Sequence, residues 1–269
     1  MNRIADCFTR LRGQGKKALI PFITAGDPEP VATLPLMQAL VKGGADLVEL
    51  GVPFSDPMAD GPVIQRSSER ALKHGTSLRD VLGIVAEFRK ENETTPVILM
   101  GYLNPIEAMG YGNFARQARA AGVDGVLVVD LPPEESEALQ EELKRHKLSQ
   151  IFLLSPTTRG ERLEQISAKA SGFLYYVSLK GVTGSNRLNV ADVAAKVAQV
   201  RSKTSLPVGV GFGIKDAETA RAVAAFSDAV IIGSSLVERL EQLGKAPLAQ
   251  LTQAATDFLA GLRRALDAA

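Results

Sequence analysis

The sequence has no tryptophan, a single cysteine and only two histidines in 269 residues. One thiol, Cys7, cannot close a disulfide within the chain. Its place on a predicted N-terminal helix reads as that of a small buried apolar residue. His74 and His146 fall at predicted helix ends without the spacing of metal ligands, so no metal site is expected. Charge of one sign is lacking as well. The 31 Lys and Arg nearly balance the 30 Asp and Glu, leaving a net charge of +1. That removes the electrostatic reason to expect a nucleic-acid or anionic-membrane partner. No apolar run reaches the roughly 18 residues of a membrane-spanning helix. The opening Met1-Asn2-Arg3-Ile4-Ala5-Asp6 has charges and no apolar core, unlike a signal peptide. A cytoplasmic protein is the default expectation. There is no low-complexity tract and no Ser/Gly linker.

What is present is 45% apolar content, enough to bury a full core, arranged as alternating strands and helices. Apolar spacing predicts a helix over 3–13, a strand over Ala18–Thr24, a turn with a helix-cap candidate at Gly26-Asp27-Pro28, and a helix over Val31–Lys42. A second strand follows at Asp46–Leu50, then helices at Val63–Lys73 and Leu78–Glu91. Strand three is Val97–Met100, followed by a short helix opened by Asn104-Pro105 and another over Phe114–Ala121. Strand four is Gly125–Val129 and its helix Pro133–Lys147. Strand five (Ile151–Leu154) is paired with a helix at Arg159–Ala170, and strand six (Phe173–Val177) with one at Val190–Val200. Strand seven (Pro207–Val210) leads to Ala217–Ala225, and strand eight (Asp228–Ile232) to two helical stretches, about 235–243 and 248–266.

Eight strand-then-helix units with near-continuous apolar strands imply a parallel sheet covered on both faces. A faint two-strand repeat favours closure. Gly44-Ala45-Asp46, Gly122-Val123-Asp124 and Ser227-Asp228 enter even-numbered strands, whereas Pro96-Val97 and Pro207-Val208 open odd-numbered ones. The expected fold is a (βα)8 TIM barrel with an extra N-terminal helix and additional helices, residues 1–269 forming one domain. The rival, an open doubly wound sheet, would need a phosphate loop after strand one, which Gly26-Asp27-Pro28 is not.

In such a barrel the active site gathers at the C-terminal ends of the strands. Those ends supply an apolar and aromatic half: Phe22, Met100, Tyr102, Val129, Leu153 and Tyr175. They also supply a glycine and hydroxyl half: Gly184, Gly213, Gly233, Ser234 and Ser235. Glycines after strands seven and eight, followed by a helix N-terminus, suit a phosphate group, because exposed N–H groups and the helix dipole attract an anion. Glu49 ends a strand otherwise apolar. It is either half-buried in the barrel mouth, which would raise its pKa and let it exchange protons near neutral pH, or paired as a structural salt bridge. Asp60, between Ala59 and Gly61, reads as a second carboxylate of the site or as a turn residue. Lys180 reads as a solvated loop lysine or as a Schiff-base nucleophile.

The run Glu49-Leu50-Gly51-Val52-Pro53-Phe54-Ser55-Asp56-Pro57, continuing through Ala59-Asp60-Gly61-Pro62-Val63-Ile64-Gln65, closely resembles the signature of the tryptophan synthase α chains. Pro21-Phe22-Ile23-Thr24-Ala25-Gly26-Asp27-Pro28, Met100-Gly101-Tyr102-Leu103-Asn104-Pro105, Asp130-Leu131-Pro132, Gly181-Val182-Thr183-Gly184 and Gly211-Phe212-Gly213-Ile214 extend the resemblance along essentially the whole chain. It implies a lyase that cleaves indole-3-glycerol phosphate to indole and glyceraldehyde 3-phosphate in tryptophan biosynthesis. Glu49 and Asp60 match the catalytic pair. Phe22, Met100, Tyr102, Leu153 and Tyr175 would face the substrate body. Thr183, Gly184, Phe212, Gly213, Gly233, Ser234 and Ser235 would surround the glycerol phosphate, with Ser235 sharing or replacing the part of Ser234. The resemblance also implies no cofactor in this chain and a β-chain partner carrying pyridoxal phosphate in an α2β2 assembly. The alternatives are another phosphate-binding barrel aldolase, or a weakly active barrel that serves mainly to regulate a partner.

Overall fold

The computed structural model describes residues 2–177, 190–211 and 213–268. In chain order the elements are α1 (Arg3–Gly13), β1 (Ala18–Thr24), α2 (Pro30–Lys42), β2 (Val48–Gly51), α3 (Pro62–Lys73), α4 (Leu78–Arg89) and β3 (Val97–Gly101). Then follow α5 (Leu103–Met109), α6 (Tyr111–Ala121), β4 (Gly125–Val128), a 3₁₀ turn (Pro133–Glu135), α7 (Glu137–Arg145), β5 (Ser149–Leu154), α8 (Gly160–Lys169) and β6 (Leu174–Val177). The chain ends with α9 (Val190–Arg201), β7 (Val208–Gly211), α10 (Ala217–Ala224), β8 (Ala229–Ile232), α11 (Ser234–Leu243) and α12 (Leu248–Asp267). All eight strands pair in parallel in sequence order, and β8 closes on β1 with Ala18 opposite Ala229. The closed barrel excludes the open sheet.

Two apolar cores lie on the two sides of the barrel wall, and strand alternation sorts residues between them. Leu19, Ile23, Val48, Leu50, Leu99, Val126 and Phe152 point outward into the layer beneath the helices. Ile20, Leu47, Ile98, Leu127, Ile151, Phe173 and Ile231 point inward. The N-terminal helix joins the inner set through Ile4, Cys7, Phe8 and Leu11 and so plugs the N-terminal end of the barrel. Cys7 is buried there, as its sequence context predicts.

Three local readings are corrected. β2 begins at Val48, because the Asp46 carboxylate accepts from Leu19 N and pairs with Arg263. The predicted helix over Pro133–Lys147 is broken at Ser136, whose buried hydroxyl donates to the Pro133 carbonyl and closes the 3₁₀ turn. Asp27 caps nothing. The N-cap of α2 is Glu29, without a side-chain bond, and Asp27 instead takes a fork of hydrogen bonds from Arg70. Among the described residues, no helix is long and apolar enough to cross a membrane.

Candidate active site

The inward-pointing residues nearest the C-terminal ends of the strands form the floor of the site. Glu49 on β2 stands opposite Phe22 of β1 and Ile98 of β3. It is 1% exposed. Neither carboxylate oxygen has a hydrogen-bond partner, and no cation pairs with it among the described residues. The burial is therefore complete rather than partial, and the salt-bridge reading does not hold among the described residues. Burial, and secondly the charge of Asp60, push its pKa up to about 8. A buried carboxyl surrounded by apolar groups is most stable protonated, because desolvation penalises only the charged form.

Asp60 is carried by the loop between β2 and α3. Its Oδ2 accepts a 3.0 Å bond from the Tyr102 hydroxyl. That hydroxyl in turn accepts from Ala59 N at 3.0 Å. Phe54 stacks on the Tyr102 ring at 5.1 Å. Gln65 ties the loop from the other side, donating to the carbonyls of Asp60 and Pro57 at 2.9 and 3.3 Å. Burial raises the Asp60 pKa, and the bond from Tyr102 opposes the rise. Burial and the nearby Asp60 also push the Tyr102 phenol up, so it stays a donor throughout the neutral range.

Asp60, Phe22, Met100 and Tyr102 line one cavity with Thr24, Gly51, Val52, Ile64, Ser68, Gly101 and Val129. Glu49 is not among the lining residues, but its register partner Phe22 is. Gly51 is required by the close approach of a ring: a Cβ there would stand 2.6 Å from Phe22 Cζ. Leu153 and Tyr175 are register partners on β5 and β6. The Tyr175 phenol is held well above its usual value by burial and then by Glu49 and Asp60, which places it within electrostatic reach of both. A Cβ on Gly211 would stand 2.5 Å from the Tyr175 hydroxyl oxygen.

At the mouth, Gly233 is the N-cap of α11 and packs toward Phe22, with no side chain capping the helix. Ser234 is exposed. The Ser235 hydroxyl donates to the Ile214 carbonyl at 3.1 Å, so it ties α11 to the loop after β7. Gly213 is exposed, with φ +79°. Thr183, Gly184, Phe212 and Lys180 lie outside the described residues. His74 and His146 are helix C-caps. Among the described residues, no group of three or more His, Cys, Asp or Glu side chains gathers where a metal could sit. Val129, expected in the apolar half, and Thr24, expected only as a strand end, both line this cavity. Ile64 and Ser68 were not legible as site residues. They lie four apart on one face of α3, and only the placement of that helix brings them to the cavity.

The pKa of Glu49 has a consequence for stability. Between pH 4.5, its ordinary value, and about 8 the folded chain holds a proton that the unfolded chain releases. Stability tied to this group is complete below 4.5, falls as pH rises, and is lost above about 8. Glu49→Gln removes that dependence. In urea denaturation the variant is expected to exceed the parent at pH 8 by on the order of a few kcal/mol, with the gap closing toward pH 4. A difference independent of pH would mean that Glu49 titrates normally.

Fold and site define a class: a (βα)8 barrel with a buried acid on strand two and a second carboxylate, hydrogen-bonded by a tyrosine, whose charge acts on it. The model of the tryptophan synthase alpha chain family matches residues 8–265. A tryptophan synthase alpha chain of Nitrosococcus oceani is 59% identical over 268 residues, covering 100% of this chain and 98% of that protein. One from Laribacter hongkongensis is 60% identical and covered in full. The crystal structure of tryptophan synthase subunit alpha from Legionella pneumophila superposes with a TM-score of 0.93 at 48% identity, covering all of both chains. The chain belongs to the tryptophan synthase alpha chain family.

Proposed function

We propose that this chain is a lyase of tryptophan biosynthesis that cleaves indole-3-glycerol phosphate into indole and glyceraldehyde 3-phosphate by a retro-aldol step. The observation that carries the reading is Glu49: a fully buried carboxyl without a hydrogen-bond partner among the described residues, with a pKa of about 8, beside a second carboxylate. At neutral pH such a group carries a proton to give and can take one back.

In the forward direction Glu49 donates its proton to indole C3. The ring becomes an indolenine with positive charge at its nitrogen. Asp60, aimed by Tyr102, stabilises that charge. The carboxylate of Glu49 then takes the proton from the hydroxyl on the carbon attached to C3. The C3–carbon bond breaks, its electron pair returns to the ring, and the oxygen becomes the aldehyde. One proton moves from hydroxyl to C3, and nothing is oxidised. Phe22, Met100, Leu153 and Tyr175 supply apolar and aromatic walls for the ring and chain. Gly213, Gly233, Ser234 and the first-turn N–H groups of α11 suit the phosphate, with Thr183, Gly184 and Phe212 completing the set. Because Ser235 spends its proton on Ile214, Ser234 is the better phosphate hydroxyl.

We read the chain as the α partner of a β chain, in an α2β2 assembly in which the β chain carries pyridoxal phosphate and this chain carries no cofactor. Met58, 84% exposed on the Asp60 loop, is the kind of apolar residue a partner would cover. The loop 53–60 and Asn104-Pro105 form the matching surface. The test is release of indole from indole-3-glycerol phosphate, with and without a β chain. Release is expected in both conditions and faster with the partner. No release in either condition defeats the proposal, and trapping of a substrate adduct by borohydride would favour a Schiff-base aldolase instead.

A further inference from the structure

Helix α3 belongs to no strand of the barrel. It is an additional helix between β2 and α4, and its N-terminal end receives the loop of Asp60. Two sets of contacts fix it. Near its middle, the Ser67 hydroxyl donates to the Ile64 carbonyl at 2.8 Å and must therefore accept from Thr24, 2.6 Å away. One turn further, Arg70 forks onto Asp27 at 2.6 and 2.9 Å. Its remaining N–H group donates to Glu241 on α11 at 2.5 Å. Arg66 forks onto the same Glu241 at 2.8 and 2.7 Å. Glu241 thus receives three bonds from two arginines of α3. Chiefly through the bond from Arg66, its carboxyl is held down to about 2.

The four side chains balance, two cations against two anions, and Asp27 is 5% exposed. An isolated exposed ion pair contributes little, but a network with forked geometry can hold two elements in one relation. Both of the elements joined here reach the site. The α3 helix presents Ile64 and Ser68 to the cavity and carries the Asp60 loop. The first turn of α11 lies toward Phe22 and is the phosphate end of the reading above.

We propose that the Arg66–Glu241–Arg70–Asp27 cluster is a mechanical link between the phosphate end and the indole end of the site, so that an anion seated on α11 helps to place Asp60 through α3. This rests on the function proposed above. Arg66, Arg70 and Glu241 are positioning residues: they touch no substrate and act through α3 and α11. The coupling is reciprocal, so an indole ring at Asp60 tightens phosphate binding by the same factor as phosphate tightens indole binding.

The experiment measures binding of indole and of glycerol 3-phosphate to the full chain by calorimetry, each alone and each with the other saturating. In the parent, each ligand is expected to tighten the other roughly fivefold or more. Arg70→Ala would leave Asp27 buried without its cation and could unfold the chain. Glu241→Ala avoids this, because it keeps the Arg70–Asp27 fork while removing the bonds that Glu241 takes from half-exposed Arg66 and from the third N–H group of Arg70. Glu241→Ala is expected to bring the coupling to within about twofold of none while leaving glycerol 3-phosphate affinity alone within about twofold of the parent. Glu241→Gln, which keeps length and one acceptor, falls between. A Glu241→Ala chain with parental coupling overturns the link even if its melting temperature drops, and so does a parent without coupling. A parent that binds neither ligand overturns the reading of the site itself, and the link with it.

Discussion

Replacing Glu49 by glutamine lowers indole release by at least the roughly 10²- to 10⁴-fold that one general acid–base contributes. Glutamine has the same shape and is as easily buried, so the apolar ring of Phe22 and Ile98 opposite it in the register is kept. What is lost is the exchangeable proton. Because the proposed phosphate end at α11 does not include Glu49, glycerol phosphate should bind the variant with parental affinity. The loss then appears in kcat rather than in binding, the pattern of an interaction made only in the transition state. A Glu49→Gln chain cleaving at near the parental rate would sink the assignment. The parent's pH profile carries the same information. The protonated acid is consumed as pH passes about 8, so kcat should fall on the alkaline side of that value.

Asp60→Asn should cost about 10²- to 10³-fold, the scale of removing one preorganised electrostatic partner of a developing charge. Asparagine still offers an oxygen to Tyr102, so the frame of Ala59, Tyr102 and Phe54 persists and the charge alone is removed. A second signature follows from the coupling of the two acids. The Asp60 charge helps to raise the Glu49 pKa, so its removal lowers that pKa and moves the alkaline limb of the pH profile to lower pH. Loss of rate with an unmoved limb would mean that Asp60 acts only as a wall of the pocket.

Much of this geometry was legible in the sequence, for a definite reason. In a parallel barrel, strand alternation decides which residues point inward, and strand ends decide which reach the mouth. Phe22, Glu49, Met100, Leu153 and Tyr175 all follow from those two rules. The full burial of Glu49 does not, because it depends on what neighbouring strands set beside it, and register is invisible in one strand. Asp27 was misread because the Gly-Asp-Pro run is a good turn by itself, whereas its partner Arg70 is 43 residues away. Ile64 and Ser68 were not legible because α3 lies outside the strand–helix alternation, and no periodicity states where an additional helix will rest.

The plug made by α1 bears on how the chain comes to be folded during synthesis. Phe8 meets Phe173 at 5.8 Å between ring centres, and the same inner core draws on Ala229 and Ile231. Helix α1 is made before β6 and β8, and its apolar side must therefore wait for those strands before it is covered. Closure of β8 on β1 imposes the same delay on the first strand. Contacts so distant in sequence are slow to form, and until they do, Ile4, Phe8 and Leu11 are exposed to other nascent chains. Association in the cell is thus a hazard of the half-made protein rather than of the finished one.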